Sequence, residues 1–268
     1  METIIYEKTG SFLSMEENIG VIKINRPDAL NAFNDKLVEE LNAILDEIEK
    51  DDEIKVVVIT ADGEKVFSVG ADLKFAQGLT EKDKEESRPL IQGGQELFRK
   101  LENLSKPTIA AINGLALGGG TEITLACDIR IANESAKIGT PEVGVGLLPA
   151  WGGTTRLPKI IGMGRAKEMI LTGGQVSGTE AERIGLVNKA VPYDELESTW
   201  TFMAAKIAGN APVAVKLAKQ VANKAFDNTI EDGNRMELNA CVECFGTEDL
   251  KEGIKAVFEK RKANFQGK

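Results

Sequence analysis

Between two short β-branched runs, VIKIN at 21–25 and KVVVIT at 55–60, apolar residues recur at Leu37, Leu41, Ile44, Leu45 and Ile48. Steps of three and four place those side chains on one face of a helix, whereas compact β-branched runs suit strands. The order predicted for this region is strand, helix, strand. A third apolar run, PTIAAING at 107–114, stops at Asn-Gly, and TEITLACDIRIA then passes from helix-compatible residues into another β-branched stretch. Residues 136–158, AKIGTPEVGVGLLPAWGGTTRLP, are rich in glycine and proline and are expected to be mostly loop and turn.

From about residue 196 the pattern turns helical, in LESTWTFMAAKIAGN, APVAVKLAKQVANKAF and LKEGIKAVFEKRKANF, divided by Gly and Asn stops. The expected organisation is an α/β core over 1–195 followed by a helical region over 196–268. The charge run TEKDKEESRP at 80–89 reads as a solvated helix face or a mobile loop. No repeat of fixed period is clear enough to claim.

Charge narrows the partners. Lysine and arginine number 33 against 42 acidic residues, for a net charge of -9, which argues against a nucleic acid or an anionic membrane and for a small molecule. A chain of 268 residues buries a sizeable core without staples, and three cysteines, Cys127, Cys241 and Cys244, are too few for a disulfide framework. They are read as reduced thiols of a cytoplasmic protein, because the N-terminal stretch has neither a secretory pattern nor a membrane anchor. The chain has 0 histidines, which removes Ser-His and Cys-His triads and His-ligated metals. Acid/base chemistry must then fall to carboxylates, lysine, tyrosine or cysteine.

Two glycine-bearing strand ends are candidates for chemistry: VFSVGADLK at 66–74 and LALGGGTE at 115–122. Each can open a helix, and a helix start leaves outward N–H groups that glycine lets a ligand approach. One N–H from each turn would make an oxyanion hole. A lone glycine more often serves tight turns or close packing. Neither G-x-G-x-x-G nor G-x-x-x-x-G-K-[ST] occurs, so dinucleotide and P-loop readings fail. Glu122, just beyond the glycines, and Glu142, in GTPEVGVG, are the acid/base candidates. Taken singly, the first is also what a helix dipole favours and the second also suits an exposed turn.

Together FSVGADLK, KPTIAAINGLALGGGTEITLACDIRIA and IGTPEVGVGLLPAWGGTTRLPKIIG resemble the enoyl-CoA hydratase (crotonase) family, and the likeness continues through TGGQVSGTEAERIGLVNKAVP to GTEDLKEGIKAVFEKRKANF. The resemblance implies a spiral of β-β-α turns with a helical C-terminal region used to form trimers and hexamers. It implies hydration of the α,β double bond of an acyl-CoA thioester, as in fatty-acid β-oxidation, with no metal or separate cofactor, since CoA is part of the substrate. Carried over, Ala71 and Gly119 supply the two oxyanion-hole N–H groups. Glu122 acts as base toward the water and Glu142 delivers a proton to the α-carbon. Asp72, Leu73, Lys65 and Lys74 lie with the substrate, and Phe258 and Lys260 reach a neighbouring subunit's CoA.

Three positions depart from the commoner family pattern. Asp28 stands where many members carry a basic CoA contact, Thr140 where glutamine is frequent, and Ala150 where glycine is frequent. Ala150 keeps its N–H, and Trp151 beside it bears on the acyl pocket. Other reactions on the same scaffold stay open at this point: isomerisation, thioester hydrolysis, or hydration of cyclic or dienoyl groups. Retention of both glutamates favours the hydratase over these and over a non-catalytic binding protein.

Overall fold

The computed structural model describes residues 1–11, 14–80 and 84–268. β1 (Ile4–Ser11) and β2 (Ser14–Ile24) run antiparallel. α1 (Asp35–Lys50) begins where the Asn34 side chain accepts the Leu37 N–H, and it buries Leu37, Leu41, Ile44, Leu45 and Ile48, the face the spacing predicts. β3 (Val56–Ala61), β4 (Val66–Ser68), α2 (Leu73–Thr80) and α3 (Arg88–Glu102) follow. Then come β5 (Thr108–Ile112), β6 (Leu115–Leu117) and α4 (Gly119–Leu125). β7 (Ile129–Asn133) and β8 (Lys137–Gly139) lead to a 3-10 turn over Pro141–Val145. α5 (Gly153–Ile161), α6 (Met163–Thr172), β9 (Gln175–Ser177), α7 (Gly178–Arg183) and β10 (Lys189–Val191) complete this part. The chain ends in α8 (Tyr193–Ala208), α9 (Pro212–Ala222), α10 (Ile230–Phe245) and α11 (Glu248–Glu259).

The strands form a six-stranded sheet in the order β1-β2-β3-β5-β7-β10 and a four-stranded sheet in the order β4-β6-β8-β9. Successive strands alternate between them: β3 to β4, β5 to β6, β7 to β8, with helical structure after each pair. This is the expected spiral of β-β-α turns. β4, β6 and β8 are parallel neighbours, so the loops leaving their C-terminal ends lie side by side.

Both faces of the large sheet are covered, which explains why VVVI at 56–59 is apolar throughout rather than alternating. Val57 and Ile59 join the core with α1 and α3, while Val56 and Val58 pack with Leu196, Trp200, Ala204 and Ala208 of α8. Residue 195 lies in the first turn of α8.

The stretch 136–158 carries more regular structure than its composition suggests: β8, the 3-10 turn and the first six residues of α5. α5 starts at Gly153 with no side-chain cap from its N-cap residue Gly152, and Pro158 lies inside it. Its first amide is capped instead by Glu122, 31 residues away in sequence, which no local pattern announces. Of the charge run at 80–89, residues 81–83 lie outside the described residues; Lys84–Ser87 is a 3-10 turn and Arg88 opens α3. α10 was not marked by periodicity because it has no buried residue.

Candidate active site

Three loops build the site, one from the C-terminal end of each of β4, β6 and β8. After β4, the Ser68 hydroxyl donates to the Asn31 carbonyl at 2.7 Å and accepts the Gly70 N–H at 3.1 Å, shaping the turn. Gly70 has φ +87°, a conformation that favours glycine. Phe33 forms a parallel bridge with Ala71: its N–H donates to Gly70 O at 2.8 Å, and its carbonyl accepts the Asp72 N–H at 2.9 Å. Those bonds use the residues on either side of Ala71, so the Ala71 N–H faces away from Phe33.

After β6, Gly118 turns the chain at φ +54° and Gly119 opens α4, where the first N–H groups have no intrahelical acceptor. The two turns touch. A Cβ on Gly70 would stand 2.7 Å from Gly119 N, and one on Gly120 would stand 2.1 Å from Ser68 O. Only glycine backbone lets the N–H groups of residues 71 and 119 come together in this way, and such a pair suits an oxygen that gains negative charge.

Glu122, in the first turn of α4, is 2% exposed. Its Oε1 accepts the Trp151 N–H at 2.8 Å and the Gly153 N–H at 2.7 Å. Burial pushes this carboxyl up to about 7; the Gly153 N–H opposes the rise, the nearby charge of Glu142 adds to it, and the Trp151 N–H and Arg156 oppose it. Glu142 lies in the 3-10 turn after β8, and both its carboxylate oxygens are buried without a hydrogen-bond partner. Burial pushes its carboxyl up as well. It faces the glycine turn, since a Cβ on Gly118 would lie 3.0 Å from Glu142 Oε1. Two carboxyls that burial holds above the usual carboxylate range suit acid/base chemistry.

Behind the site stand Phe33, Phe98 and Trp151, each pair in an edge-to-face arrangement with ring centroids 5.7 to 5.8 Å apart. Trp151 fills a slot floored by two glycines: a Cβ on Gly94 would meet its indole at 2.3 Å, and one on Gly119 at 2.6 Å. The cluster joins Phe33, which holds the residue 70–72 segment, to Trp151, whose N–H holds Glu122. Trp151 therefore acts on the site through its backbone as well as its ring. Its backbone role, that of Gly153, and the Arg156–Glu102 pair behind them were missed by sequence reasoning.

The structure thus gathers Ala71, Gly119, Glu122 and Glu142. Asp72 accepts the Lys74 N–H at 3.1 Å at the start of α2 and lies 3.5 Å from Arg26 Nη2, both structural contacts. Leu73 is 61% exposed and Lys74 exposed at the start of the same helix. Lys65 is exposed just before β4, at the other end of that short strand. Phe258 and Lys260 stand at the end of α11, which lines a cavity together with the start of α9 and the tail near Phe265. Asp28 is exposed, Thr140 is buried with an unpartnered hydroxyl, and the Ala150 carbonyl accepts from Gln95 at 2.7 Å. Cys127 is buried with its thiol pushed up to about 12, and it takes no part in the site. Among the described residues no group of three or more His, Cys, Asp or Glu side chains converges as a metal site would require.

The sequence profile of the enoyl-CoA hydratase/isomerase family matches residues 14–268. A short-chain-enoyl-CoA hydratase of Clostridium acetobutylicum is 46% identical over 256 residues, 96% of this chain and 97% of its own length. A crotonyl-CoA hydratase of Syntrophomonas wolfei is 42% identical over 267 residues, covering 100% of this chain and 99% of its own. The crystal structure of an enoyl-CoA hydratase from Bacillus anthracis, 40% identical, superposes with a TM-score of 0.94 over 100% of both chains. With fold, site geometry and sequence in agreement over the full length, the chain belongs to the enoyl-CoA hydratase/isomerase family.

Proposed function

We propose that the chain is an enoyl-CoA hydratase that adds water reversibly across the α,β double bond of an acyl-CoA thioester. The observation that carries this reading is the pairing of two buried carboxyls, Glu122 and Glu142, beside the glycine-opened N–H groups of Ala71 and Gly119. The thioester oxygen accepts from those two N–H groups as the α-carbon gains electron density. Both backbone donors to Glu122 fall on Oε1, which leaves Oε2 to take a proton from the water whose oxygen bonds to the β-carbon. Glu142 gives its proton to the α-carbon, so a hydrogen and a hydroxyl are added and the two carboxyls have exchanged protonation state. Losing one oxyanion donor costs about 3 kcal/mol of transition-state stabilisation, and a positioned carboxyl supplies about 10² to 10⁴ in rate. The chemistry asks for neither metal nor cofactor. Isomerisation needs no bound water and gives an unhydrated product, so the two readings separate by product mass.

Exposed Lys65 and Lys74 suit the anionic CoA portion, whereas Asp28 does not. Exposed apolar residues on α10 and α11, with Ile230 at 85% and Phe258 at 83%, support a homotrimer or a hexamer made of two trimers, in which Phe258 and Lys260 approach a neighbour's substrate. No helix among the described residues is long and apolar enough to cross a membrane, and a cytoplasmic place in acyl-CoA metabolism fits the reduced thiols. The test follows the conjugated-thioester absorbance of crotonyl-CoA on adding purified protein. A loss accompanied by a product heavier by one water supports the reading; binding without turnover of crotonyl-CoA removes the short linear hydratase.

A further inference from the structure

We propose that Arg156 is a positioning residue for Glu122: anchored on Glu102, its guanidinium fixes the one peptide that separates the two N–H donors to the Glu122 carboxylate. Trp151 N–H and Gly153 N–H reach Glu122 Oε1 at 2.8 and 2.7 Å. The peptide between them, Trp151–Gly152, turns its carbonyl the other way, where it accepts from Arg156 Nη1 at 3.1 Å. The rest of the guanidinium is forked onto Glu102, with Nε to Oε1 at 3.1 Å and Nη2 to Oε2 at 2.8 Å. Such a two-point pair fixes orientation as well as charge.

The guanidinium lies directly over the turn. A Cβ on Gly152, which sits at φ +115°, would stand 1.8 Å from Arg156 Nη1. Three consecutive peptides are therefore held alternately, the outer two by Glu122 and the middle one by Arg156. Rotating either N–H off the carboxylate would also disturb the carbonyl held on the opposite side. The Arg156 side chain is 14% exposed, so its charge is weakly screened where it favours the ionised form of Glu122. The charged groups facing Glu122 are Glu142 from the 3-10 turn and Arg156 from α5, with Glu102 of α3 behind the arginine.

The test titrates the Glu122 carboxyl by NMR in protein labelled with ¹³C at the glutamate δ-carbon, its signal assigned by disappearance in Glu122→Gln. It is run on the wild type, Arg156→Met and Arg156→Lys, beside pH profiles of kcat and KM for crotonyl-CoA hydration, the half that rests on the hydratase reading. Removing the cation favours protonated carboxyls, so Arg156→Met should raise the Glu122 midpoint by about half to one pH unit and move both kinetic limbs upward, with KM changed less than about twofold. Arg156→Lys keeps the charge and loses the fork: its midpoint should stay near wild type while kcat falls about threefold to tenfold. An unmoved midpoint in Arg156→Met, or wild-type kcat in Arg156→Lys, overturns the proposal. Should Arg156→Met fail to fold, the lysine variant alone decides. A wild type that hydrates nothing, while the Glu122 midpoint still shifts as expected, overturns the hydratase reading and leaves the placement of Arg156 standing.

Discussion

Glu122 Oε1 lies 2.7 Å from the amide nitrogen of Gly153, so a single carboxylate oxygen from the first turn of one helix caps the first residue of another. The same oxygen accepts from Trp151, which makes the candidate base a structural strut as well. Chemistry and stability can be separated by the choice of substitution. Glu122→Gln keeps a carbonyl oxygen for both N–H groups and, below about pH 4.5 where the wild-type carboxyl is also neutral, should fold with nearly unchanged stability. Glu122→Ala leaves two buried donors without an acceptor and should cost about 1–3 kcal/mol, read as a fall in denaturation midpoint relative to Glu122→Gln. Equal stability of the two variants would show that the cap carries nothing.

Contact between the glycine turns predicts a selective loss of rate. In Gly70→Ala the new methyl would be 2.7 Å from Gly119 N at a φ of +87°. The two N–H groups are forced apart, and kcat/KM should fall about 100-fold or more, with stability lowered by roughly 1–3 kcal/mol for the strained backbone. Gly63→Ala, at a similar φ of +82° but with open space around its Cβ, separates strain from contact and should leave kcat/KM intact.

Trp151 should behave as core. Trp151→Ala removes the ring wedged against Phe33 and Phe98 and should destabilise by about 3–5 kcal/mol. Gly94→Ala, which drives a methyl to 2.3 Å from the indole, should lower the thermal midpoint and kcat together, because the Trp151 N–H shifts with its ring. Full activity and stability in Gly94→Ala would break the proposed link between the aromatic cluster and Glu122.

Two buried carboxyls give opposite pH signatures. Burial would raise Glu40, but the N–H groups of Glu2 and Thr3, the Thr3 hydroxyl and Lys36 outweigh it and bring the carboxyl down to about 2. A carboxyl depressed on folding contributes stability above its unfolded value, near 4.5, and that contribution is lost as pH falls toward 2. Glu122 is raised from 4.5 to about 7, so the folded state binds the extra proton in that window and stability drains as pH rises through it. Denaturant titrations should therefore show Glu40→Gln losing less stability than wild type between about pH 4.5 and 2. Glu122→Gln should gain relative to wild type between about pH 4.5 and 7. Parallel curves for either variant would contradict the corresponding environment.

The parts of this architecture that were legible in sequence are those set by local periodicity or local backbone freedom. Leu37 to Ile48 announced α1, the β-branched run KVVVIT a strand, and the glycines before Glu122 a helix start. α5 was hidden because its cap comes from a side chain 31 residues earlier, and Trp-Gly-Gly places no Ser, Thr, Asp or Asn at its N-cap. α10 was hidden because a helix that buries nothing against its own chain shows no apolar stripe directed at that core. Glu122 and Glu142 were singled out by coupled family motifs, since each alone suits a capping or turn residue. Nothing in the local sequence marks Arg156, because its grip on the Trp151–Gly152 turn depends on Glu102 of another helix.

Joint action of Glu122 and Glu142 on water and proton beside the two N–H groups can be tested by one paired measurement. Crotonyl-CoA hydration is compared in wild type, Glu122→Gln, Glu142→Gln and the double variant, with calorimetric binding of a non-reacting saturated acyl-CoA measured on the same samples. Each single variant should bind the thioester like wild type yet lose about 10² to 10⁴ in kcat, and the double variant should fall little further because the two carboxyls work as one unit. Hydration at wild-type rate by either single variant would contradict this joint action.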